Sequence, residues 1–517
     1  MSSIFTITNP PANTRASFRR FLRVKKLLIA LVLLAIVAVF GPPTVFLAWV
    51  WWHDGPAPLP VAAAGTNDAS RLNANQPAEV IAIANDPVEA ELQLVALMRR
   101  AEQQHRHISI SGAHHSMGGH TLYPGGIVLN MDPFNRMSLD EKQLILTVGA
   151  GARWSEIIPF LDQQGLAVAI MQSNNDFSVG GSLSVNCHGW QNDSPPISST
   201  VESFRILTAS GSILRCSRTE NPELFSLALG GYGLFGVILE VDLHVVPNEF
   251  YVAEAHPVKS TDYARVYHEL TRNRSDVGLA YGRINVAPNA FMEEGIITLL
   301  KHKSTDRATT GTLTVEKPSL LKRLVFRGGI GSDYGKNLRW WLEKSMGETA
   351  GKVLSRNQIM NEPSNLYATR DAGSTDILHE YFIPGARLGE FIDKARPVFL
   401  KHRPELLNIT VRNVEPDTDT FLRYAREEVF GLVMLFHQRR DSASEAAMQA
   451  LTRELIDTAV ACGGRYYLPY RAHATQEQFV QSYPQAREFF ALKRRYDPTG
   501  VFENTFSLNY GKGLRTN

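Results

Sequence analysis

The sequence predicts an α+β protein of two parts behind an N-terminal transmembrane helix. Three observations carry that expectation. A stretch of 26 residues without a charge follows Lys26. Between residues 67 and 248, short apolar strands alternate with amphipathic helices and two long Gly/Ser loops. From Phe250 to Arg471, strand-like runs are interleaved with helices, the pattern of a second domain with an antiparallel sheet and flanking helices. A chain of 517 residues is also too long for one ordinary core, so two folded domains are expected.

The first 26 residues carry Arg15, Arg19, Arg20, Arg23, Lys25 and Lys26, and no acid occurs before Asp54. Taking these six from the 53 basic residues leaves 47 against 51 acidic ones, so the net charge of +2 comes from the N-terminus. No basic face for nucleic acid is indicated. The uncharged run 27–52, "LLIALVLLAIVAVFGPPTVFLAWVWW", is long enough to cross a hydrocarbon core. Pro42 and Pro43 are expected to kink it, and Trp49, Trp51 and Trp52 suit the far interface. The basic flank places 1–26 in the cytoplasm and the rest outside, as on the periplasmic face of a bacterial inner membrane. The alternative is a cleaved signal peptide with Ala62–Ala64 as its processing site, although those alanines lie well beyond the apolar run. Arg19-Arg20-Phe21-Leu22 resembles a twin-arginine export signal, a route that carries folded proteins. Residues 53–66, "HDGPAPLPVAAAGT", read as a linker.

"AEVIAIA" is a strand, and "PVEAELQLVALMRRAEQQ" a helix with Leu92, Leu94, Val95 and Leu97 on its apolar face. "HISISG" is a strand running into "SGAHHSMGGHT". Strands "GGIVLNM" and "QLILTVGAG", helix "RWSEIIPFLDQQG" and strand "LAVAI" follow, and then the long loop "QSNNDFSVGGSLSVNCHGW". Beyond it come "VESFRILTA" and "GSILRC", joined by a turn at Ser210-Gly211, a helix "ENPELFSLALGG" and the alternating strand "GVILEVDLHVVP". The second domain spans 249–471, and 472–517 forms a C-terminal segment whose helix stops at Asp497-Pro498. Cys187, Cys216 and Cys462 give no disulfide framework and no CxxC pattern, and read as small core residues.

Gly231-x-Gly233-x-x-Gly236 is formally GxGxxG, but a helix precedes it and a strand follows, so it is not a dinucleotide fingerprint. No P-loop motif occurs. A metal site would draw on His114, His115, His120 and His188, yet adjacent histidines on an extended chain point to opposite faces and no carboxylate lies near them, so no metal is assigned. The two Gly/Ser loops instead suit a pyrophosphate, because small residues let backbone amides approach an anion. Ordinary turn chemistry is the alternative.

The order of "GAHHS", "VGAGARWSEI", "DFSVGGSLSVNCHG" and "GGYGLFGVILEVDLHVVP" resembles the FAD-binding domain of the vanillyl-alcohol oxidase / p-cresol methylhydroxylase (PCMH-type) flavoproteins. "LKRRYDPTGVFENTF" resembles the end of the sugar-lactone and alditol oxidase branch. The resemblance covers roughly residues 70–248 and 480–510, and the middle of the chain matches weakly. It implies a two-subdomain PCMH-type FAD-binding domain over 67–248, with a substrate domain inserted before the C-terminal return. It implies FAD contacts from Ser111, Gly112, Ala113, His114, His115 and Ser116 in the first loop, and from Gly180, Gly181, Ser182, Ser184, His188 and Gly189 in the second. Gly149, Gly233, Gly236, Val237, Ile238 and Asn504 are implied at further cofactor contacts. A histidine in a "GxGHS" context is joined covalently to the flavin C8-methyl in many members; here that residue is His115. His114 departs from the pattern, standing where a small residue is usual.

On the substrate side, "NITVRNVE" resembles a family segment reading "ExR". Arg412 matches the arginine, Thr410 stands in the glutamate position, and Glu415 is the candidate replacement. "GGRYYLPYRAH" lies where relatives show "HWGK", so Tyr470 or Arg471 would take the lysine's part. Tyr466, Tyr467 and Tyr470 form either a ring-binding wall or a packed aromatic cluster. Of His379 and Glu380 on one strand, only one can face a pocket.

The resemblance therefore implies a membrane-anchored FAD-linked oxidoreductase that takes a hydride from a sugar, polyol or lactone-like small molecule, with oxygen or a quinone or cytochrome as acceptor. Two rivals stand beside it: an oxidase of a lipid-linked sugar, since "GGSLSVNCHG" also resembles the decaprenylphosphoryl-ribose oxidases, and a noncatalytic flavin-binding membrane protein.

Overall fold

A computed structural model describes residues 12–55, 59, 62–304, 313–314, 319–346 and 351–514. The basic N-terminus up to residue 11, and residues 56–58, 60 and 61 of the expected linker, lie outside the described residues. The chain divides into two units, Met1–Gly55 and Pro56–Asn517. The first holds one helix, α1 (Ala12–His53). Its stretch Arg20–His53 has a mean hydropathy of 2.5 over its most apolar window, enough to cross a membrane, although a signal sequence meets the same test. Pro42 and Pro43 sit inside the helix without ending it. Between Phe21 and Trp52 most of its large apolar side chains are exposed, including Leu34, Phe40 and Trp52, a pattern that a lipid-facing helix shares.

In the second unit, β1 (Glu79–Ala82), β2 (Ile108–Ser111) and β3 (Ile127–Asn130) form a parallel sheet in the order β1-β3-β2. Helix α2 (Pro87–Gln103) makes the crossover from β1 to β2. Asp86 caps it by accepting from the amides of Val88 and Glu89, and it buries Ala90, Leu94, Leu97, Met98 and Ala101. Leu92, expected on the apolar face, is 70% exposed, because the buried stripe runs i, i+4, i+7 from Ala90 and leaves position 92 on the opposite side.

A second sheet holds β4 (Met137–Asp140), β5 (Ile145–Gly149), β6 (Leu166–Val168), β7 (Val201–Leu207), β8 (Ile213–Ser217) and β9 (Val237–Pro247). Its order is β4-β5-β9-β7-β8 with β6 on β9, all antiparallel. Helix α3 (Trp154–Gln163) covers it with Trp154, Ile157, Ile158 and Leu161. A short helix, α4 (Val179–Ser184), lies inside the segment expected to be a long loop. The hydroxyl of Ser178 caps it, which is why a Gly/Ser-rich run turns helical there.

The third sheet is antiparallel and has eight strands: β10 (Phe250–Lys259), β11 (Val277–Ile284), β12 (Glu294–His302), β13 (Val353–Ser355), β14 (Ser374–Pro384), β15 (Glu405–Val414), β16 (Val429–Arg439) and β17 (Arg465–Tyr466). Their order is β13-β10-β12-β11-β15-β16-β14-β17. Helices 388–402 and 442–461 bury Phe391, Ile392, Phe399, Leu451, Leu455 and Ile456 in the core. Separate cores were expected for the two domains. A continuous core instead runs from Trp154 and Phe204 through Tyr381 and Phe430 to Phe506, and a second core, with Leu94, Leu129 and Phe502, gathers α2 and the parallel sheet.

The expected C-terminal helix is two helices, 476–482 and 486–496, parted where Pro484 cannot continue the first. The chain then returns to the parallel sheet: Ile108 N donates to Val501 O at 2.6 Å, and Glu503 N donates to Ile108 O at 3.1 Å. Asp497 holds this return. Its carboxylate accepts from the amides of Val501 (2.9 Å) and Phe502 (2.8 Å) and pairs with the buried ammonium of Lys493. Replacing Asp497 by Ala strands that charge, so unfolding free energy of the full chain in detergent should fall by about 3–5 kcal/mol in a urea titration. A loss within 0.5 kcal/mol would show that the pair does not hold the return.

Candidate functional site

The first loop leaves the end of β2. A Cβ at Gly112 would overlap the Ser178 hydroxyl, so only glycine lets the two loops meet here. His114 takes the left-handed conformation (φ 60°), and its ring lies 3.1 Å from Ser111 Oγ. The amides of His114, His115 and Ser116 donate to no protein acceptor among the described residues, and Ser116 Oγ is buried without a partner. Unspent donors around a left-handed turn form an anion-binding concavity, so this loop fits the pyrophosphate of a dinucleotide. The His115 ring stacks on Phe177 at 4.0 Å, and its Nε2 lies 3.1 Å from Asp176 O. Burial lowers the pKa of both His114 and His115, so both rings are neutral at pH 7.

Several expected cofactor contacts are instead spent within the protein. Gly180 N donates to Ala150 O, and Gly181 N to the Ser178 cap. The Ser182 hydroxyl accepts from Trp154 Nε1 at 2.9 Å and bonds to Gln172 Oε1 at 3.0 Å, so its proton is spent within the protein. Ser184 O accepts from Tyr232 N. Gly149 and Gly236 are close-packing glycines, set against the carbonyls of Phe134 and Leu207, and Gly189 lies against Met171 O. Gly233 has φ 74° in the turn before β9, while Val237 and Ile238 pair with Leu207 and Ile206. The Asn504 amide donates to Tyr232 O and closes its own turn with Ser507.

His188 was assigned to the cofactor set. It is bound instead to β14 of the eight-stranded sheet: its Nε2 meets Glu380 Oε1 at 2.7 Å, with side-chain exposures of 4% and 1%. His188 Nδ1 is buried with no partner among the described residues. Tyr470 OH donates to Glu380 Oε2 at 3.4 Å. Burial, then the charge of Glu380, raises the Tyr470 phenol well above its usual pKa, so it stays protonated. Arg412 reaches the same place from β15, donating to His188 O (3.3 Å) and Ser173 Oγ (2.9 Å). Met117 N donates to Pro469 O at 2.9 Å, which sets Tyr470 beside the first loop. Tyr467 packs edge-on against Tyr470, whereas Tyr466 turns away to Tyr483.

Two expected substrate residues lie elsewhere. Arg471 is held by Glu445, Asn73 Oδ1 (2.9 Å) and Met117 O (3.1 Å), a buried clamp that spends its donors. Glu415 sits beyond the end of β15 beside Asp193 and Glu428, and burial and those carboxylates raise its pKa. It does not meet Arg412. The sequence left Glu380 unassigned between two faces of a strand. The structure turns Glu380 to His188, and turns His379 to the opposite side beside Thr452 and His473. Burial lowers His379 to about 3. Asp176 and Ser173 were not singled out, although Asp176 is the one acid in the second loop.

Residues 87–217 match the model of a family described as "FAD binding domain". The chain thus contains an FAD-binding domain over these residues and is an FAD-linked oxidoreductase. It is similar to decaprenylphosphoryl-beta-D-ribose oxidase of Mycolicibacterium smegmatis, 24% identical over 80% of this chain and 91% of that protein. It is 32% identical to L-gulonolactone oxidase of Bos taurus over 32% of this chain and 37% of that protein. It is 30% identical to D-arabinono-1,4-lactone oxidase of Yarrowia lipolytica over 38% and 36%. The chain thus spans nine-tenths of the first relative and little more than a third of the two lactone oxidases.

The Arg471 clamp gives a pH signature. Burial alone would push the Glu445 carboxyl up, but the hydrogen bond from His473 and the charge of Arg471 outweigh it and hold the pKa down to about 2. A depressed carboxylate pKa stabilises the fold above about 4.5, and that stabilisation fades as pH falls toward 2. Thermal unfolding between pH 5 and pH 2 should show Glu445→Gln losing less of its stability than the parent, a difference of up to about 3 kcal/mol. Parallel acid limbs would overturn the assignment.

Proposed function

We propose that the chain is a membrane-anchored oxidoreductase that oxidises a C–OH group of a sugar, polyol or lactone-like substrate. The observation that carries this is the buried His188–Glu380 pair, joined by Tyr470 and Arg412, between the second loop and the eight-stranded sheet. Bound FAD supplies the hydride acceptor at flavin N5. His188 Nδ1 takes the hydroxyl proton as the C–H bond is broken, and Glu380 holds the ring in orientation from Nε2. The Arg412 guanidinium and the Tyr470 phenol stabilise negative charge on the substrate oxygen. The free amides of His114, His115 and Ser116 would hold the pyrophosphate, and His115 would be the residue joined to the flavin C8-methyl. Helix α1 anchors the protein with 1–26 in the cytoplasm and the body outside, where a quinone or cytochrome accepts the electrons.

A lipid-linked sugar is the second reading, supported by the relative whose likeness extends through the eight-stranded sheet and by the apolar helix α1. The two readings differ in donor. Anaerobic bleaching by a polyprenyl-phosphate-linked pentose, faster than by any free lactone or alditol, selects the second; the reverse selects the first.

Two experiments test the site. Acid denaturation of purified protein should leave the yellow chromophore on the polypeptide, and His115→Ala should release it; free flavin from the parent overturns the tether. Glu380→Gln should keep its flavin yet slow anaerobic bleaching by about 10²–10⁴-fold. An unchanged rate would remove the pair from the mechanism.

A further inference from the structure

His115 has two ring nitrogens, and the second loop engages only one. Nε2 lies 3.1 Å from the carbonyl oxygen of Asp176 and 3.7 Å from its carboxylate Oδ2. Both partners accept, so Nε2 carries the ring hydrogen and the lone pair is left on Nδ1. Nδ1 has no protein partner among the described residues. Phe177, the next residue, stacks on the ring at an interplanar angle of 20° and blocks its rotation about χ2. Asp176 is itself held from the other domain: Ser364 donates to its carboxylate through Oγ at 2.7 Å and through its amide at 3.2 Å. Burial and the nearby cation Arg153 oppose protonation of His115, while Asp176 and Asp132 favour it.

We propose that Asp176 is a positioning residue for flavin attachment, directing the bond to Nδ1 of His115 and receiving the Nε2 proton. The proposal rests on the tether described above. Nδ1 forms a bond to the C8-methyl carbon, which gives up one hydrogen, and His115 gives up the hydrogen on Nε2. The two electrons released pass through the flavin ring to dioxygen, which takes up both protons as hydrogen peroxide. The carboxylate matters because alkylation at Nδ1 leaves a cationic ring until Nε2 is deprotonated. A carboxylate 3.7 Å away stabilises that cation and accepts its proton, whereas the carbonyl alone only orients it.

The test uses the full-length protein, its Asp176→Asn, Asp176→Ala and Asp176→Glu variants, and FAD. Covalent flavin is read from acid-precipitated protein and from intact mass, and total flavin from the native spectrum. We expect Asp176→Asn and Asp176→Ala to bind flavin at the parent's stoichiometry while the rate of covalent attachment falls tenfold or more, with recovery as pH rises and partial rescue by Asp176→Glu. Parent-like attachment in both variants overturns the proposal and leaves the tether standing. Release of flavin from the parent overturns the tether, and this proposal with it. The attachment nitrogen, read by NMR of the flavinyl peptide from the parent, needs no variant to fold: Nδ1 supports the proposal and Nε2 overturns it.

Discussion

An imidazole and a carboxylate with almost no access to water hold each other at 2.7 Å where the second loop meets β14. Each would be costly alone in that place, so the pair forces the loop and the strand to arrive in register. The remaining site follows from this. The loop carrying His188 also carries Asp176 and Phe177 against His115, and Ser178 against Gly112. The strand carrying Glu380 is paired over its whole length with β16 and at its middle with β17. Tyr467 N donates to Glu380 O and so draws the aromatic run beside the same point. A single desolvated pair thereby connects the anion-binding loop, the acid–base group and the strand that a substrate would line.

The elements themselves were legible where a local signal was strong. Asp86 before Pro87, the alternation of "VILEVDLHVV" and the uncharged run after Lys26 each point to what is found. Helix α4 was not legible, because Gly and Ser have poor helix propensity and only the Ser178 cap and the packing of Val179 and Leu183 make six residues helical. Leu92 shows the same limit from the other side: an apolar residue at a helical period still faces water when the stripe is set one step away. On the site, the two Gly/Ser loops drew attention to His114, His115 and Ser116, whose amides are unspent, and to Ser182, whose proton goes to an internal hydrogen bond, while Asn504 was implied by resemblance and bonds to Tyr232 and Ser507. No spacing rule could have joined His188 to Glu380, which are 192 residues apart. Arg471 misled because a guanidinium one residue from a site looks the same in sequence whether its donors are free or clamped.

His114 shows how a departure from a motif is accommodated. A left-handed conformation costs a non-glycine residue about 1–3 kcal/mol. Histidine is among the side chains that tolerate it, and the ring recovers part of the cost through Ser111 Oγ at 3.1 Å. The turn is preserved, so the amides that follow still lie unspent. The imidazole, kept neutral by burial, adds no charge to compete for the anion. A larger residue thus replaces a small one without altering what the backbone presents.

The continuous core sets how the site can work. Domains that meet through small polar faces move on one another, but here Trp154, Phe204, Tyr381, Phe430 and Phe506 belong to a single packed cluster. Swinging the eight-stranded sheet away from the second loop would expose part of that cluster, at roughly 25 cal/mol per Å² of apolar surface. The shared core therefore opposes hinge opening as a route for ligand release. What the rigid core supplies is a preformed arrangement of Arg412, Tyr470 and the His188–Glu380 pair, whose dipoles would need no reorganisation if charge developed on a substrate oxygen, as the proposed function requires.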